Sequence, residues 1–345
     1  MLGNIIRAQE RRRATRDTNR VVRPFEWGAE YVSQNSNGSD AREAVFAAAR
    51  YAVSHSEEFY ALAPVKDYAL DGDLLTWTSA VHTPTHENNT ARARFFPEQP
   101  PKRTRRGGEA PRRAVVVLPQ WNADAESHVA LCRLLARIGV AALRLTLPYH
   151  EARRPPELER ADFMVSSNVG RTIQSLQQGV VDTRAAVAWL DARGYERVGV
   201  MGTSIGSCTA FLAFVHDERI DAGVFNHVSG YVGDVVWRGI STRHVRAGVE
   251  GALTLEELRE AWLPISPMSY AGRLAHLRQR PMRFIAARHD LTFPADLSRE
   301  VIAAVRATGV PVSVSWLPCG HYTSGERPWV YLDAWKIVSF LRKNL

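Results

Sequence analysis

The feature that most restricts how this chain can fold is a repeated exchange, beginning at Val115, between short apolar runs and longer amphipathic segments. The apolar runs are AVVVLP, VAALRLTLP, RVGVMG, AGVFNHVSG, MRFIAARHD and VSVSWLPCG. The segments between them space their apolar residues as helices do, most clearly near 170–192, 205–215 and 296–307. Strands that alternate with helices predict an α/β fold with a mostly parallel central sheet and helices on both faces. Ligands bind to such sheets beyond the carboxyl ends of the strands, where we expect the functional residues.

The chain before this repeat has two further parts. Residues 65–118 contain alternating segments that predict strands, with the basic segment 98–112 as an exposed hairpin loop. Residues 1–63 contain two helical patterns and are expected to pack on a larger body. The predicted organisation is therefore a helical N-terminal extension, residues 1–63, and an α/β domain, residues 64–345, with a small helical lid inserted near 230–265.

The positive charge of the chain is concentrated in two short segments. The formal net charge is +8, but residues 1–23 carry seven arginines against two acidic residues, and residues 98–113 carry six basic residues against two acidic ones. The remainder is close to neutral and contains no recognised nucleic-acid-binding motif, so nucleic-acid binding is not expected as the main function. The segment 98–112 is either a solvated loop or a site for an anionic partner.

Cysteine content and hydropathy bear on the compartment in which the protein works. Cys132, Cys208 and Cys319 cannot form a full disulfide framework and lack the spacing of a metal site. The N-terminus lacks the apolar stretch of a signal peptide, and no apolar run elsewhere approaches the roughly 20 residues that span a bilayer. We therefore expect a soluble, cytoplasmic protein with no membrane span, and we expect no metal or other cofactor.

One serine lies in a sequence context that is typical of a nucleophile. Ser204 is the centre of a G-x-S-x-G motif, residues 202–206, which follows the strand RVGVMG and precedes a helical pattern. A nucleophile elbow places serine on a strained turn, where small neighbours let the strand and the helix approach closely. An ordinary glycine-rich turn is the alternative. Cys208 lies in the first turn of the helix, and we interpret it as a small buried residue rather than a second nucleophile.

A serine nucleophile needs a base, and the base needs a carboxylate that orients it. Asp290 follows the strand MRFIAAR, and His321 follows the strand VSVSWLPCG. The chain order Ser204, Asp290, His321 is the order expected when the acid and the base lie in the last two loops that follow strands. Asp296 is interpreted instead as the N-cap of the next helix.

With these residues the chain resembles the α/β-hydrolase superfamily over about residues 65–345, and within it the dienelactone-hydrolase and prolyl-oligopeptidase-type members. The resemblance implies that Ser204 is the nucleophile and that His321 acts first as a general base and then as a general acid. It implies that Asp290 fixes the tautomer of the imidazole and stabilises the imidazolium.

Acyl transfer also needs N–H groups that stabilise an oxyanion. One is expected from Ile205, the residue after the nucleophile, and the second from the loop after AVVVLP. In the superfamily this loop often begins with His-Gly, whereas here it has the sequence LPQWN. Alignment of the strand end assigns the second donor to the backbone of Trp121, with Gln120 as the alternative. The Trp121 side chain is either a wall of the acyl pocket or a residue at the edge of the core.

Three further residues are candidates for substrate contact because they follow predicted strands: Gln120, His150 and His227. The segment that holds His150 and Arg153 either contacts the substrate or forms a solvated loop in which arginine pairs with glutamate. His150, His227 and His244 are weaker candidates than His321 for the base, because none of them follows the last strand.

These observations predict a serine hydrolase that cleaves a small-molecule carboxylic ester through an acyl-enzyme intermediate. The same triad serves a peptidase or an amidase, which is the first alternative. The second alternative is a non-catalytic binding protein with an α/β-hydrolase fold that acts through its arginine-rich N-terminal arm. A scaffold has no need of a residue such as Asp290, which disfavours this last alternative.

Overall fold

The computed structural model describes residues 2–33, 40–99 and 111–345, so most of the basic segment 98–112 lies outside the described residues. Nine strands form one sheet in the described part of the chain, in the order β1-β2-β3-β5-β4-β6-β7-β8-β9. The strands are β1 Ala69–Asp71, β2 Leu74–Thr78, β3 Thr90–Phe96, β4 Arg113–Leu118, β5 Ala141–Thr146, β6 Arg197–Thr203, β7 Ile220–Asn226, β8 Met282–Ala287 and β9 Val312–Leu317. Strands β1, β2, β3 and β5 pair antiparallel, and the pairings from β5 through β4 to β9 are parallel. The predicted α/β class with a mostly parallel sheet is confirmed.

Helices lie on both faces of this sheet, as the sequence predicts. They are α1 Leu2–Ala14, α2 Ala41–Ser54, α3 Ser56–Phe59, α4 Val129–Arg137, α5 Val169–Ala192, α6 Ile205–His216, α7 Val232–Arg238, α8 Arg243–Val249, α9 Leu255–Ala261, α10 Ala295–Ala307 and α11 Trp329–Asn344. Apolar side chains of α4 and α11 form one core with the sheet, and those of α5, α6 and α10 form the other. None of the helices in the described ranges combines the length and the hydropathy needed to cross a membrane.

The central strand β4 explains why the sequence contains continuous apolar runs. Its side chains alternate between the two cores: Val115 and Val117 pack with α4 and α11, whereas Val116 and Leu118 pack on the opposite face. All four are completely buried. A strand with both faces covered favours apolar side chains at every position, so the run reads as apolar.

The predicted hairpin between β3 and β4 is wrong. Strand β3 pairs with β5, in a register that places Arg92 opposite Thr146, and β4 lies on the far side of β5. The basic segment that joins β3 to β4 therefore connects two strands that are not neighbours. The physical reason is the burial of β4, whose apolar run belongs at the centre of the sheet between two parallel partners rather than beside the half-exposed β3.

The N-terminal residues pack on the same core as the sheet. Asp40 caps α2 by accepting a hydrogen bond from the backbone N–H of Arg42 at 3.0 Å. Val45 and Phe46, on one side of this helix, join the core that contains α5 and α6. The buried hydroxyl of Tyr60 donates to the carbonyl oxygen of Pro264 at 2.7 Å. Helix α2 is thus fixed to the body of the protein by apolar packing, and the end of α3 is fixed by a buried hydrogen bond.

Between β7 and β8 the chain forms the three short helices α7, α8 and α9, at the position where the sequence predicts a helical insertion. The backbone N–H of Ile240, just after α7, donates to the carbonyl oxygen of Leu291 at 2.9 Å. His244, in α8, stacks on Trp121, with ring centroids 5.6 Å apart and an interplanar angle of 11°. The insertion therefore contacts loops that follow both β8 and β4, which is the end of the sheet where functional residues are expected.

Candidate active site

Ser204 lies on a strained turn between β6 and α6. Its backbone has φ 58° and ψ −125°, a conformation that non-glycine residues rarely adopt. The two glycines of the motif make the turn possible, because a Cβ on Gly202 would lie 2.1 Å from the carbonyl oxygen of Gly206. A Cβ on Gly206 would lie 2.3 Å from the carbonyl oxygen of Pro119, in the loop after β4. The motif thus brings the serine, the start of α6 and the loop after β4 into close contact.

Asp290 follows β8 and His321 follows β9, two neighbouring strands of the same sheet. Nδ1 of His321 is 2.9 Å from Oδ2 of Asp290. The other carboxylate oxygen, Oδ1, accepts the backbone N–H groups of Thr292 at 2.8 Å and Phe293 at 2.7 Å. The Phe293 ring also stacks on the imidazole of His321, with centroids 5.4 Å apart and an interplanar angle of 5°. The carboxylate and the imidazole are therefore each held from two sides.

Oγ of Ser204 and Nε2 of His321 are the atoms that a nucleophile and its base would use. Within the described part of the chain, neither Oγ of Ser204 nor Nε2 of His321 has a hydrogen-bond partner. In structures without substrate, catalytic hydrogen bonds are often long and tighten only in the complex. Strands β6, β7, β8 and β9 are consecutive neighbours in the sheet, so Asp290 and His321 follow adjacent strands, and Ser204 follows β6, which β7 separates from β8.

Electrostatic interactions between Asp290 and His321 keep the carboxylate ionised and favour the protonated imidazole. Burial opposes ionisation of Asp290, but the charges and hydrogen bonds of His321 and His227 outweigh it and hold the pKa of Asp290 well below its ordinary value. Burial also opposes protonation of His321, but the carboxylate of Asp290 outweighs it and raises the pKa of His321 above its ordinary value. An imidazolium at His321 is thus stabilised by a neighbouring carboxylate that stays ionised.

His227 occupies a different place from the one expected. Its Nδ1 lies 3.1 Å from Oδ2 of Asp290, the same oxygen that His321 contacts. The His227 and His321 rings are 4.9 Å apart between centroids, and the His227 side chain is 1% exposed. The expected substrate contact of His227 does not fit this burial, because its ring faces the acid. His227 directly follows β7, which lies between the strands that precede Ser204 and Asp290. This position in the sequence is the signal for its contact with Asp290.

Among the described residues, the group of three metal-ligand types that converges is His227, Asp290 and His321, whose nearest ligand atoms lie within 4.8 Å of one another. The 2.9 Å distance between His321 and Asp290 is that of a hydrogen-bonded pair, and the 3.1 Å distance between His227 and Asp290 is a close polar contact without hydrogen-bond geometry. These pairings account for the cluster through interactions between the side chains themselves.

The loop after β4 is fixed by a second histidine. Nε2 of His150 accepts the backbone N–H of Asn122 at 2.8 Å, and Nδ1 lies 2.9 Å from the carbonyl oxygen of Pro148. The ring nitrogen that accepts must be unprotonated, so the other carries the proton and donates it to Pro148. Burial lowers the pKa of His150 to about 4, which keeps the ring neutral at neutral pH. Both ring nitrogens are used inside the protein, so His150 holds this loop in place, and its substrate contact stays a prediction.

Trp121 is held by its side chain on the outer side of the same loop. Its indole N–H donates to the carbonyl oxygen of Ala161 at 2.8 Å, and its ring stacks on His244. The backbone N–H of Trp121 has no partner among the described residues, and Ile205 is the first residue of α6, where backbone N–H groups lack partners in the helix. Gln120, the alternative donor, is half-buried beside it.

Arg153 and Asp296 both differ from what the sequence suggested. Arg153 is completely buried and forms an ion pair with Asp182 at 2.9 Å, so it neither contacts substrate nor lies in a solvated loop. Asp296 lies in the first turn of α10, whose N-cap is Pro294, and it forms an exposed ion pair with Arg238 at 2.7 Å. The predicted N-cap role of Asp296 is therefore wrong, and its carboxylate is engaged away from His321.

The fold of this chain was compared with those of known proteins. No family model matches the sequence, and a search of curated proteins finds no match either. Solved structures do match. An acylaminoacyl peptidase of Pyrococcus horikoshii is 14% identical, with a TM-score of 0.60, over 84% of this chain and 43% of that protein. A puromycin-hydrolyzing peptidase of Mycobacterium tuberculosis is 15% identical, with a TM-score of 0.58, over 82% of this chain and 48% of that one.

A cold-adapted esterase from an Arctic intertidal metagenomic library is 13% identical, with a TM-score of 0.50, over 82% of this chain and 100% of that one. The chain thus spans less than half the length of the two peptidases and matches the esterase over its whole length. At such low identities these matches establish the fold alone. The protein has the α/β-hydrolase fold, as the resemblance in its motifs implies.

Proposed function

We propose that the protein is a serine hydrolase that cleaves a carboxylic ester of modest size through an acyl-enzyme intermediate. One observation carries this proposal: a serine on a strained strand-to-helix turn lies at the same end of the sheet as a buried Asp290–His321 pair. An ordinary glycine-rich turn would need neither the positive φ at Ser204 nor an imidazole held by an ionised carboxylate.

In the proposed reaction, His321 Nε2 removes the proton of the Ser204 hydroxyl as Oγ attacks the ester carbonyl carbon. The negative charge that forms on the carbonyl oxygen is stabilised by the N–H groups of Ile205 and Trp121. The tetrahedral intermediate collapses, the C–O bond of the ester breaks, and His321 gives its proton to the leaving alcohol. Asp290 stabilises the imidazolium between these two steps.

Deacylation repeats the same steps with water as the nucleophile. His321 removes a proton from water, the hydroxide attacks the acyl carbon, and the oxyanion again lies against the two N–H groups. When the intermediate collapses, Ser204 Oγ leaves and regains its proton from His321, which releases the carboxylic acid. These steps use the side chains of Ser204, His321 and Asp290, the two backbone N–H groups and water.

Amide cleavage is a second candidate, because the same steps serve an amine leaving group. The structurally similar proteins include peptidases as well as an esterase, and the peptidases have the higher TM-scores. A non-catalytic binding role has weaker support, since a scaffold would gain nothing from the strain at Ser204. The three cysteines are free and buried, which fits a reducing compartment and our proposal that the enzyme acts in the cytoplasm.

Active-site labelling with a fluorophosphonate tests the class of the enzyme. We expect the probe to label the wild type and Ser339→Ala, an exposed serine on α11, but not Ser204→Ala. Matched series of activated esters and anilides of increasing acyl length then separate esterase from amidase activity. Persistence of labelling in Ser204→Ala would overturn the assignment of the nucleophile, and faster turnover of the anilides would favour the amidase.

A further inference from the structure

Helix α1 packs against the two loops that carry Asp290 and His321. At its start, a Cβ on Gly3 would lie 2.7 Å from the ring of His289, the residue before Asp290. At its other end, the side chain of Glu10 is completely buried. The N-terminal helix therefore lies directly behind the acid and the base, although more than 270 residues of chain separate them.

The carboxylate of Glu10 binds the loop that holds His321. Oε2 accepts the backbone N–H of Tyr322 at 3.0 Å, and Oε1 accepts the backbone N–H of Thr323 at 2.9 Å and its hydroxyl at 3.1 Å. Oγ1 of Thr323 in turn accepts the backbone N–H of Gly320 at 2.8 Å. The carboxylate and the threonine hydroxyl thus satisfy three backbone donors on both sides of His321.

Gly320 has its own reason to be glycine at this place. A Cβ there would lie 2.2 Å from Cδ of Glu10, so any other residue would displace the carboxylate. The glycine of the Cys-Gly-His sequence before the final helix is therefore required by contact with Glu10, near the N-terminus. Two further contacts attach the same arm to the loop: Arg13 forms an ion pair with Glu326, and Arg20 donates to the Tyr322 hydroxyl at 2.7 Å.

We propose that Glu10 is a positioning residue for His321, whose buried carboxylate fixes the loop of residues 320–323 and thereby aims the imidazole at Ser204. This proposal rests on the proposed function, since it assigns Glu10 a part in the same reaction. It makes the arm that carries α1 a component of the catalytic machinery rather than an appendage.

The charge of Glu10 acts on His321 in the same direction as that of Asp290. Five polar side chains from other elements face the imidazole or its loop: Asp290 after β8, His227 after β7, and Glu10, Arg13 and Arg20 from the N-terminal arm. Burial lowers the pKa of His321, whereas Asp290 and, more weakly, Glu10 raise it. Loss of the Glu10 charge should therefore move the titration of His321 to lower pH.

The experiment compares Glu10→Gln with Arg11→Gln. Arg11 is the next residue of α1 and is exposed, so the control changes the charge of the same helix by one unit without touching the loop. Glutamine can keep an oxygen toward Thr323, but its NH₂ group then faces the N–H of Tyr322, donor against donor. Hydrogen exchange of the peptide that covers residues 320–326, fluorophosphonate labelling rate and the pH dependence of ester turnover are measured on all three proteins.

For Glu10→Gln we expect faster exchange of that peptide, a loss of kcat of about tenfold to about 100-fold with little change in KM, and an acid limb at lower pH. Arg11→Gln should match the wild type in all three measurements. If exchange increases but kcat and the pH profile match those of Arg11→Gln, Glu10 only stabilises the fold and the proposal is overturned.

A second variant covers the case in which Glu10→Gln does not fold. Thr323→Val removes one donor to Glu10 and one acceptor for Gly320 while it leaves α1 intact, and it should change exchange and kcat in the same direction but less. An unchanged kcat in a Thr323→Val protein with faster exchange would also overturn the proposal. If the wild type itself has no turnover or labelling that depends on Ser204, the proposed function fails, and the exchange data still report the contact separately.

Discussion

The imidazoles of His227 and His321 share one carboxylate oxygen, Oδ2 of Asp290, at 3.1 and 2.9 Å. The second oxygen of this carboxylate is occupied by two backbone N–H groups. Every polar neighbour of Asp290 therefore stabilises its charged form, which accounts for its lowered pKa despite burial. A carboxylate shared between two rings should act less strongly on either one, so we expect His227 to limit how far Asp290 raises the pKa of His321.

Replacement of His227 by phenylalanine tests this sharing. The variant keeps a planar ring and removes a polar partner of Asp290, so more of the carboxylate charge acts on His321 and its pKa rises. His321 must be neutral to act as a base, and we therefore expect the acid limb of the kcat/KM profile to move to higher pH. A limb that stays in place or moves to lower pH would show that His227 does not compete for Asp290.

Replacement of Ser204 by alanine should remove nearly all hydrolysis and leave stability almost unchanged. Loss of a nucleophile typically costs several orders of magnitude in rate. The Ser204 hydroxyl has no hydrogen-bond partner among the described residues, and alanine carries the same Cβ, so the strain of the turn stays the same. Steady-state kinetics and thermal unfolding check both parts. Activity within tenfold of the wild type would contradict the triad.

Asp290→Asn should cripple turnover, whereas Asp296→Asn should be close to normal. Asparagine keeps the shape but favours the wrong tautomer of His321, so kcat should fall by about four orders of magnitude with little change in KM. The residual activity should have its acid limb at lower pH, because the charge that raises the pKa of His321 is lost. The exposed ion pair of Asp296 with Arg238 gives no route to the base. A large loss of kcat in Asp296→Asn, with Asp290→Asn close to normal, would show that Asp296 and not Asp290 is the carboxylate that orients His321.

The sequence identifies Ser204, Asp290 and His321 as candidates because each belongs to a local pattern. Ser204 is recognisable from its glycines, and Asp290 and His321 follow apolar runs whose parallel arrangement brings their ends together. The role of Glu10 has no such pattern, since a glutamate in an arginine-rich helix is indistinguishable from a solvated one until the helix is packed. The false hairpin between β3 and β4 has the same cause: strand pairing is decided by burial across the whole sheet, which local alternation does not encode.

Stability should fall as the pH decreases from about 6.5 to about 4. Burial lowers the pKa of four histidines to about 4: His128, His150, His216 and His244. Because the unfolded chain binds their protons near pH 6.5, the stability that these neutral rings contribute is present above that pH and is lost as the pH falls through their folded pKa. Asp182 and Asp333 have the opposite sign, because burial raises the pKa of both, that of Asp333 to about 6. Their contribution is present at low pH and is lost as the pH rises.

Chemical unfolding at several pH values within this window checks the sum of these effects. The four histidines outnumber these two carboxyl groups, so the free energy of unfolding should decrease on acidification. His216 packs against Tyr60 and Tyr270, and His216→Phe keeps an aromatic ring in that cluster. The variant should have a shallower dependence on pH. A free energy of unfolding that is constant or increases on acidification would contradict the prediction.

His150→Leu separates a positioning role from substrate contact. The variant removes the acceptor of the Asn122 N–H, and a buried donor left without a partner costs about 1–3 kcal/mol. The loop that carries the Trp121 N–H should then lose its fixed geometry. An oxyanion donor acts mainly in the transition state, so we expect kcat and kcat/KM to fall together, by about tenfold to about 100-fold. Arg154→Gln, an exposed change in the same segment, is the control. If KM rises while kcat is unchanged, His150 instead binds the substrate, as its place after a strand first suggested.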